Sequence, residues 1–280
     1  MTDYELIDSG NGRRLEKFGQ YLIDRPDPEV LWQKTLPDSS WDQADCKFVR
    51  THEDKGRWET KPNFPESWIV NHNDIKILLK LSPFKHVGVF PEQDWQWDLI
   101  LNNTPKDSNI LNLFGYTGVA TLTSLKAGAK VTHVDASRPA IGWLIENLKL
   151  NSLEQAPIRY IPEDCLKFVE REIKRGVKYD GIIMDPPVYG HGPNGEKWSF
   201  TKDFPSLLNN VSKLLSDNPL YVIINAYAIS TSPTTLQNML QEKFSRLGGE
   251  ITSGELTLKE QSGGRILSTG IWAMWKKVRR

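Results

Sequence analysis

From His86 onward, apolar runs alternate with longer amphipathic ones, and that alternation predicts a repeating strand and helix order. Strands are expected at Asn109 to Phe114, Lys130 to Asp135, Ile158 to Ile161, Tyr179 to Asp185 and Leu220 to Ala226. Helices are expected between them at Val119 to Ala127, Arg138 to Leu150, Leu166 to Lys174 and Phe204 to Leu215, the last following a loop over Pro186 to Thr201. Strands alternating with helices form a parallel sheet covered on both faces, and right-handed crossovers wind it in both directions. Near the end, Glu255 to Lys259, the turn Ser262-Gly263-Gly264 and Arg265 to Trp275 read as a hairpin that adds an antiparallel edge. The expected fold class is α/β: a doubly wound, mostly parallel seven-stranded sheet.

The chain before Lys85 has a different texture. Its short β-like runs, Tyr4 to Ile7, Lys47 to Arg50, Trp68 to Val70 and Ile75 to Leu79, are separated by turn signals at Ser9-Gly10-Asn11-Gly12, Arg25-Pro26-Asp27-Pro28 and Leu36-Pro37-Asp38. This predicts a small β-rich domain over 1–85, with substrate recognition as its candidate role, and a catalytic domain over 86–280. Trp32, Trp41, Trp58 and Trp68 offer flat faces that could stack on bases, although core packing is the commoner use of tryptophan in a small β domain.

Composition narrows the function. Thirty-five basic and thirty-five acidic residues balance, so no global positive field captures nucleic acid, although the chain finishes in the basic cluster Lys276, Lys277, Arg279 and Arg280. Cys46 and Cys165 stand far apart, without disulfide or zinc spacing, which points to a reducing compartment. His52, His72, His86, His133 and His191 lack the pairing of a helical metal site and read as surface or satisfied histidines; no metal is expected. Met1 to Gly10 lacks a signal-peptide pattern and no apolar stretch reaches spanning length, so the expectation is a cytoplasmic protein without a membrane partner.

The chemistry gathers at the predicted strand ends. Ile110 to Gly118, I-L-N-L-F-G-Y-T-G, is a strand running into a glycine turn and then a helix, a ledge where a nucleoside cofactor can approach the main chain. Asp135 ends the second strand, Glu163 and Asp164 follow the third, and Asp185-Pro186-Pro187 closes the fourth. A carboxylate at the second strand end can accept from both ribose hydroxyls, and Asp164 could accept from an adenine amino group. Each residue alone is also what a turn requires; the four in order suggest a nucleoside held at several points. A dinucleotide-binding oxidoreductase would need G-x-G-x-x-G, which Gly115-Tyr116-Thr117-Gly118 is not, and no Tyr-x-x-x-Lys stands out.

These motifs resemble the class I S-adenosylmethionine-dependent methyltransferases, and within them the rRNA large-subunit methyltransferase-like group. The resemblance runs from Gly88-Val-Phe-Pro-Glu-Gln through L-N-L-F-G-Y-T-G to M-D-P-P-V-Y-G. It takes in R-R-L-E-K-F-G at Arg13 to Gly19, R-P-D-P at Arg25 to Pro28, and the final E-L-T-L-K-E and R-I-L-S-T-G. It implies a Rossmann-like fold with S-adenosyl-L-methionine as cofactor. The glycine turn, Phe114, Gly115, Tyr116, Thr117 and Gly118, would face the methionine part, Asp135 the ribose and Asp164 the adenine. Asn112, Ser137 and Cys165 would flank the pocket, with Phe90 and Gln93, at the entry to the helix before the first strand, as additions to it. Asp185, Pro186, Pro187 and Tyr189 would face the target, and Gly190, Gly192, Pro193, Gly195 and Trp198 suggest a mobile lid over it.

The implied substrate is large-subunit ribosomal RNA, with oligomeric state open. Base N-methylation is favoured over cytosine C5 chemistry, because Ile223 to Ile229 contains no cysteine to attack the ring. Val188 stands directly after the second proline, where amino-methylating enzymes usually carry an aromatic; here Tyr189 follows it. The alternatives are a methyltransferase for a protein or small molecule, or an inactive RNA-binding module on the same fold.

Overall fold

A computed structural model describes residues 1–52, 55–192 and 195–278, with only the backbone of His52 and Lys55. Pro193 of the expected lid, and Arg279 and Arg280 of the basic cluster, lie outside the described residues. The chain divides into unit 1, Met1–Asp94 with Thr257–Thr269, and unit 2, Trp95–Leu256 with Gly270–Arg280.

Unit 1 holds β1 (Tyr4–Gly10), β2 (Arg13–Phe18), β3 (Tyr21–Pro26), α1 (Asp38–Trp41), β4 (Cys46–His52), β5 (Lys55–Thr60), β6 (Trp68–His72) and β7 (Ile75–Leu79). The first five strands form one sheet in sequence order, antiparallel except between β3 and β4, and β6 pairs with β7. The division falls later than Lys85 and includes a segment from near the chain's end. The reason is hydrogen bonding: Gln261 N donates to Leu6 O at 2.9 Å, Ser262 N to Ile7 O at 3.0 Å, and Ser9 Oγ to Glu260 Oε2 at 2.9 Å.

The interior of unit 1 is unusually charged. Glu16 and Arg25, both buried, form a two-pronged pair, with Arg25 Nη2 donating to Glu16 Oε1 at 2.9 Å and Tyr4 Oη donating to the same oxygen at 2.8 Å. Burial pushes the Glu16 carboxyl up, but Arg14 and Arg25 outweigh it and hold it down to about 2. Trp41 and Trp68 are buried, and the Trp41 indole donates to Asp8 Oδ2 at 2.9 Å. Trp32 and Trp58 are half-buried, with indoles bonded to Ser9 O and Ser82 O at 3.1 and 2.7 Å.

Unit 2 runs α2 (Asp94–Asn103, its first residue in unit 1), β8 (Asn109–Leu113), α3 (Val119–Lys126), β9 (Lys130–Val134), α4 (Arg138–Leu150), β10 (Ile158–Ile161), α5 (Cys165–Lys174) and β11 (Gly181–Met184). It continues with β12 (Tyr189–His191), β13 (Lys197–Ser199), α6 (Phe200–Ser212), β14 (Tyr221–Ala226), α7 (Pro233–Phe244), β15 (Glu250–Lys259) and β16 (Ile266–Lys276), of which residues 257–259 and 266–269 belong to unit 1. The main sheet has the order β10-β9-β8-β11-β14-β16-β15, parallel through its first five strands and antiparallel where β16 meets β14. This is the doubly wound seven-stranded sheet expected from the sequence. The strand order reverses between β8 and β11, which opens a crevice at their carboxyl ends.

Local chemistry sets several ends. Ser137 caps α4, its hydroxyl accepting from Ala140 N at 3.3 Å, and Asp164 caps α5, accepting from Lys167 N at 3.0 Å. Two expectations change. Helix α6 begins at Phe200 rather than Phe204, because Phe200, Phe204, Leu207, Leu208 and Val211 form one buried stripe at helical spacing. The span read as a loop, Pro186 to Thr201, contains the paired strands β12 and β13.

Candidate functional site

The registers across unit 2 align the strand ends. Leu113 pairs with Val134 and with Met184, Val134 pairs with Ile161, and Met184 pairs with Ile224. The residues that follow, Phe114, Asp135, Pro162, Asp185 and Asn225, therefore stand in one row at the carboxyl edge. Four of the sequence-predicted elements meet there: the glycine turn, Asp135, Glu163 with Asp164, and the Asp185 segment.

The turn is shaped by close approach. Phe114 and Tyr116 take left-handed φ values of 56° and 51°, which cost energy for side chains and must be held by their surroundings. Two bonds hold them: Gly115 N donates to Val134 O at 3.1 Å, and Tyr116 N donates to Asp135 Oδ2 at 2.8 Å. Gly118 has φ 90°, and a Cβ there would lie 2.2 Å from Leu144 Cδ1. Asn147 Nδ2 adds a buried bond to Thr117 O at 3.0 Å.

Gly115 is glycine for a different reason. A Cβ at this position would sit 2.3 Å from His133 Cε1, in hard collision with the ring. His133 is fully buried in a chain of polar groups, with Asn112 Nδ2 donating to Thr121 Oγ1 at 3.0 Å and that oxygen 2.9 Å from His133 Nδ1. Burial pushes the imidazole down to about 3, so the ring is neutral at ordinary pH, and its Nε2 has no hydrogen-bond partner among the described residues. Gly115→Ala is expected to overpack this wall and cost about 1–3 kcal/mol. The same substitution should cost less in a His133→Ala background, a coupling that urea unfolding of the four variants measures.

Asp135 is partly buried and anchors both flanks of the edge. Its Oδ2 accepts from Tyr116 N, and its Oδ1 accepts from Ser137 N at 2.8 Å. Burial pushes this carboxyl up, opposed by those two N–H groups. Each oxygen keeps a further lone pair with which to accept from a ligand. Asp164 is half-buried at the start of α5, while Glu163 is engaged by Arg171 Nη1 at 2.5 Å.

On the other side of the switch, Asp185 N donates to Leu113 O at 3.3 Å, Pro186 is buried, Pro187 is exposed and Tyr189 is 75% exposed. Trp198, expected in a mobile lid, is instead 6% exposed and fixed, its indole donating to Pro187 O at 2.6 Å. As the middle residue of β13 it points to the opposite face from exposed Lys197.

The predicted residues thus separate by position. Phe114, Gly115, Tyr116, Asp135, Ser137, Asp164, Asp185 and Tyr189 reach solvent around the edge, whereas Asn112, Thr117, Gly118 and Cys165 lie buried behind it. Phe90 and Gln93 belong to unit 1. Trp198 was misjudged from sequence, and His133, read as a surface or satisfied histidine, is buried with its Nδ1 bonded. Among the described residues no group of three or more His, Cys, Asp or Glu could hold a metal ion, and no helix is long and apolar enough to cross a membrane.

Comparison with known proteins bears on this edge. A model of the S-adenosylmethionine-dependent methyltransferase family matches residues 50–246. The chain is 34% identical over 159 residues to the ribosomal RNA large subunit methyltransferase K/L of Shewanella frigidimarina, a match covering 56% of this chain and 22% of that protein. Against the protein of the same name from Pseudoalteromonas atlantica it is 28% identical over 211 residues, covering 72% and 29%. The chain therefore spans less than a third of the length of these two relatives. The crystal structure of the SAM-dependent methyltransferase from Agrobacterium tumefaciens superposes with a TM-score of 0.94 at 42% identity, covering 99% of this chain and 91% of that one.

Proposed function

Since the chain belongs to the S-adenosylmethionine-dependent methyltransferase family, we propose that it methylates an amino nitrogen of a base in large-subunit ribosomal RNA, binding its cofactor along the carboxyl edge of unit 2. The observation that carries this reading is the strand register, which brings the glycine turn, Asp135 and Asp185 onto one row of adjacent strand ends, with Asp164 two residues beyond Pro162 of the same row. The rRNA substrate rests on the names of the two K/L relatives. Unit 1, whose interior charges are turned on one another, is assigned to recognition rather than chemistry.

The residues fit this cofactor. Glycines at 115 and 118 let the turn pack closely on His133 and Leu144, and Asp135 retains acceptor capacity on both oxygens for a ribose diol. Asp164, beside the third strand end, is assigned to the adenine amino group. When bound, S-adenosylmethionine supplies a methyl group on a sulfonium, whose departure needs no general acid. The protein's part is alignment and exclusion of water. The Asp185 carboxylate and the Pro186 carbonyl accept from the target amino group and turn its lone pair toward the methyl. Exposed Tyr189 offers a face on which a base turned out of its stack can rest.

A thiolate mechanism at cytosine C5 is disfavoured by both cysteines. Cys165 is buried, and burial, with Asp135 nearby, pushes its thiol well above the usual range; Cys46 is buried and pushed up to about 12. Binding of ribosomal RNA fragments over a range of salt concentrations tests the substrate class. An RNA enzyme shows affinity falling steeply with salt as phosphate contacts release counterions. A flat response would favour a protein or small-molecule substrate.

A further inference from the structure

Consecutive prolines deprive the Asp185-Pro186-Pro187 segment of two N–H donors, so this stretch of main chain can be fixed chiefly through its carbonyls. One carbonyl has a dedicated partner, Trp198 Nε1, donating to Pro187 O at 2.6 Å. The same indole lies with its ring centre 5.0 Å from that of Phe114, the left-handed residue that opens the glycine turn. Strand pairing fixes the indole from both sides: Gly190 stands opposite Trp198, Tyr189 opposite Ser199, and Phe200 N donates to Val188 O at 2.9 Å. A single buried side chain therefore touches the turn on one side and the proline segment on the other.

We propose that Trp198 is a positioning residue that couples the cofactor turn to the target segment, so that a ligand seated against Phe114 stiffens the main chain from Asp185 to His191. The coupling rests on assigning the carboxyl edge to S-adenosylmethionine. It has a consequence for recognition: the Pro187 carbonyl is committed to the indole, so the main-chain acceptor offered to a target amino group is that of Pro186. It also makes the β12 and β13 pair a strut, with Trp198 seated inward and Tyr189, His191 and Lys197 left exposed on the hairpin.

Trp198→Phe keeps a ring against Phe114 but cannot donate to Pro187 O, which separates the two contacts. Amide hydrogen exchange of the 185–191 segment, with and without S-adenosylmethionine, is read beside cofactor affinity by calorimetry and melting temperature for the wild type, Trp198→Phe and Trp198→Ala. The wild-type segment should exchange more slowly when the cofactor is bound. Trp198→Phe should bind cofactor within about twofold of wild type yet exchange about five- to tenfold faster over this segment, the loss of one hydrogen bond, with most of the ligand-induced slowing gone. Trp198→Ala should also lose cofactor affinity. Wild-type slowing retained in full by Trp198→Phe, or a wild-type chain that binds cofactor without slowing this segment, would overturn the coupling while leaving the site assignment standing. A wild-type chain that does not bind S-adenosylmethionine would overturn both.

Discussion

Asp185→Ala is expected to bind S-adenosylmethionine as the wild type does and to transfer methyl groups about a thousandfold more slowly, a loss of the size seen when one preorganised polar group is removed from a reacting centre. The split follows from where Asp185 stands. It directly follows β11 across the switch from the glycine turn, and its backbone N–H, which donates to Leu113 O, is unchanged by the substitution. What disappears is a carboxylate acceptor for the target's amino group, used at the moment of transfer. Asp185→Asn retains one acceptor oxygen and should recover part of the rate. Single-turnover kinetics with radiolabelled methyl donor, on ribosomal RNA from cells lacking the protein, measures this, with calorimetry giving the cofactor affinity. Equal losses in affinity and rate would move Asp185 to the cofactor side of the site.

Asp135→Ala should show the opposite pattern, with cofactor affinity reduced about 10- to 100-fold, the value of losing hydrogen bonds to a charged acceptor in a sheltered site. Two effects combine. The ribose loses its acceptor, and the N–H groups of Tyr116 and Ser137 lose the oxygens that hold the turn in its left-handed course. Asp135 also confers a pH dependence. Because burial raises its carboxyl, acidification protonates it earlier than an exposed aspartate, and cofactor affinity should fall as pH drops toward that raised value. Asp135→Asn removes that titration and should leave a weaker affinity nearly constant over the same range. Calorimetry at several pH values measures both effects.

The parallel strands of unit 2 were legible because burial on both faces writes them as apolar runs, and the carboxyl-edge residues because each follows such a run directly. The elements that were missed break those patterns for physical reasons. Strands β2 and β3 carry inward-facing charges, Glu16 and Arg25, which erase the alternation a half-buried strand should show. Strand β12 is three residues with a central glycine, too short and too weak in propensity to distinguish from a loop. Helix α6, expected from Phe204, begins at Phe200 and includes Pro205 within its first two turns. His133 is a lone imidazole whose significance lies in its contact with Gly115, a relation between adjacent strands that no spacing within one strand contains. The glycines beside Trp198 suggested mobility, yet the tryptophan itself supplies the burial and the bond that pin the hairpin.

A crystal structure of the chain with S-adenosylhomocysteine tests the central claim most directly. The account predicts the ribose hydroxyls within hydrogen-bonding distance of both Asp135 oxygens, the adenine beside Asp164, and the sulfur over the Phe114 to Gly118 turn facing Asp185. Nucleoside density away from this edge, or a ribose that does not touch Asp135, would contradict it.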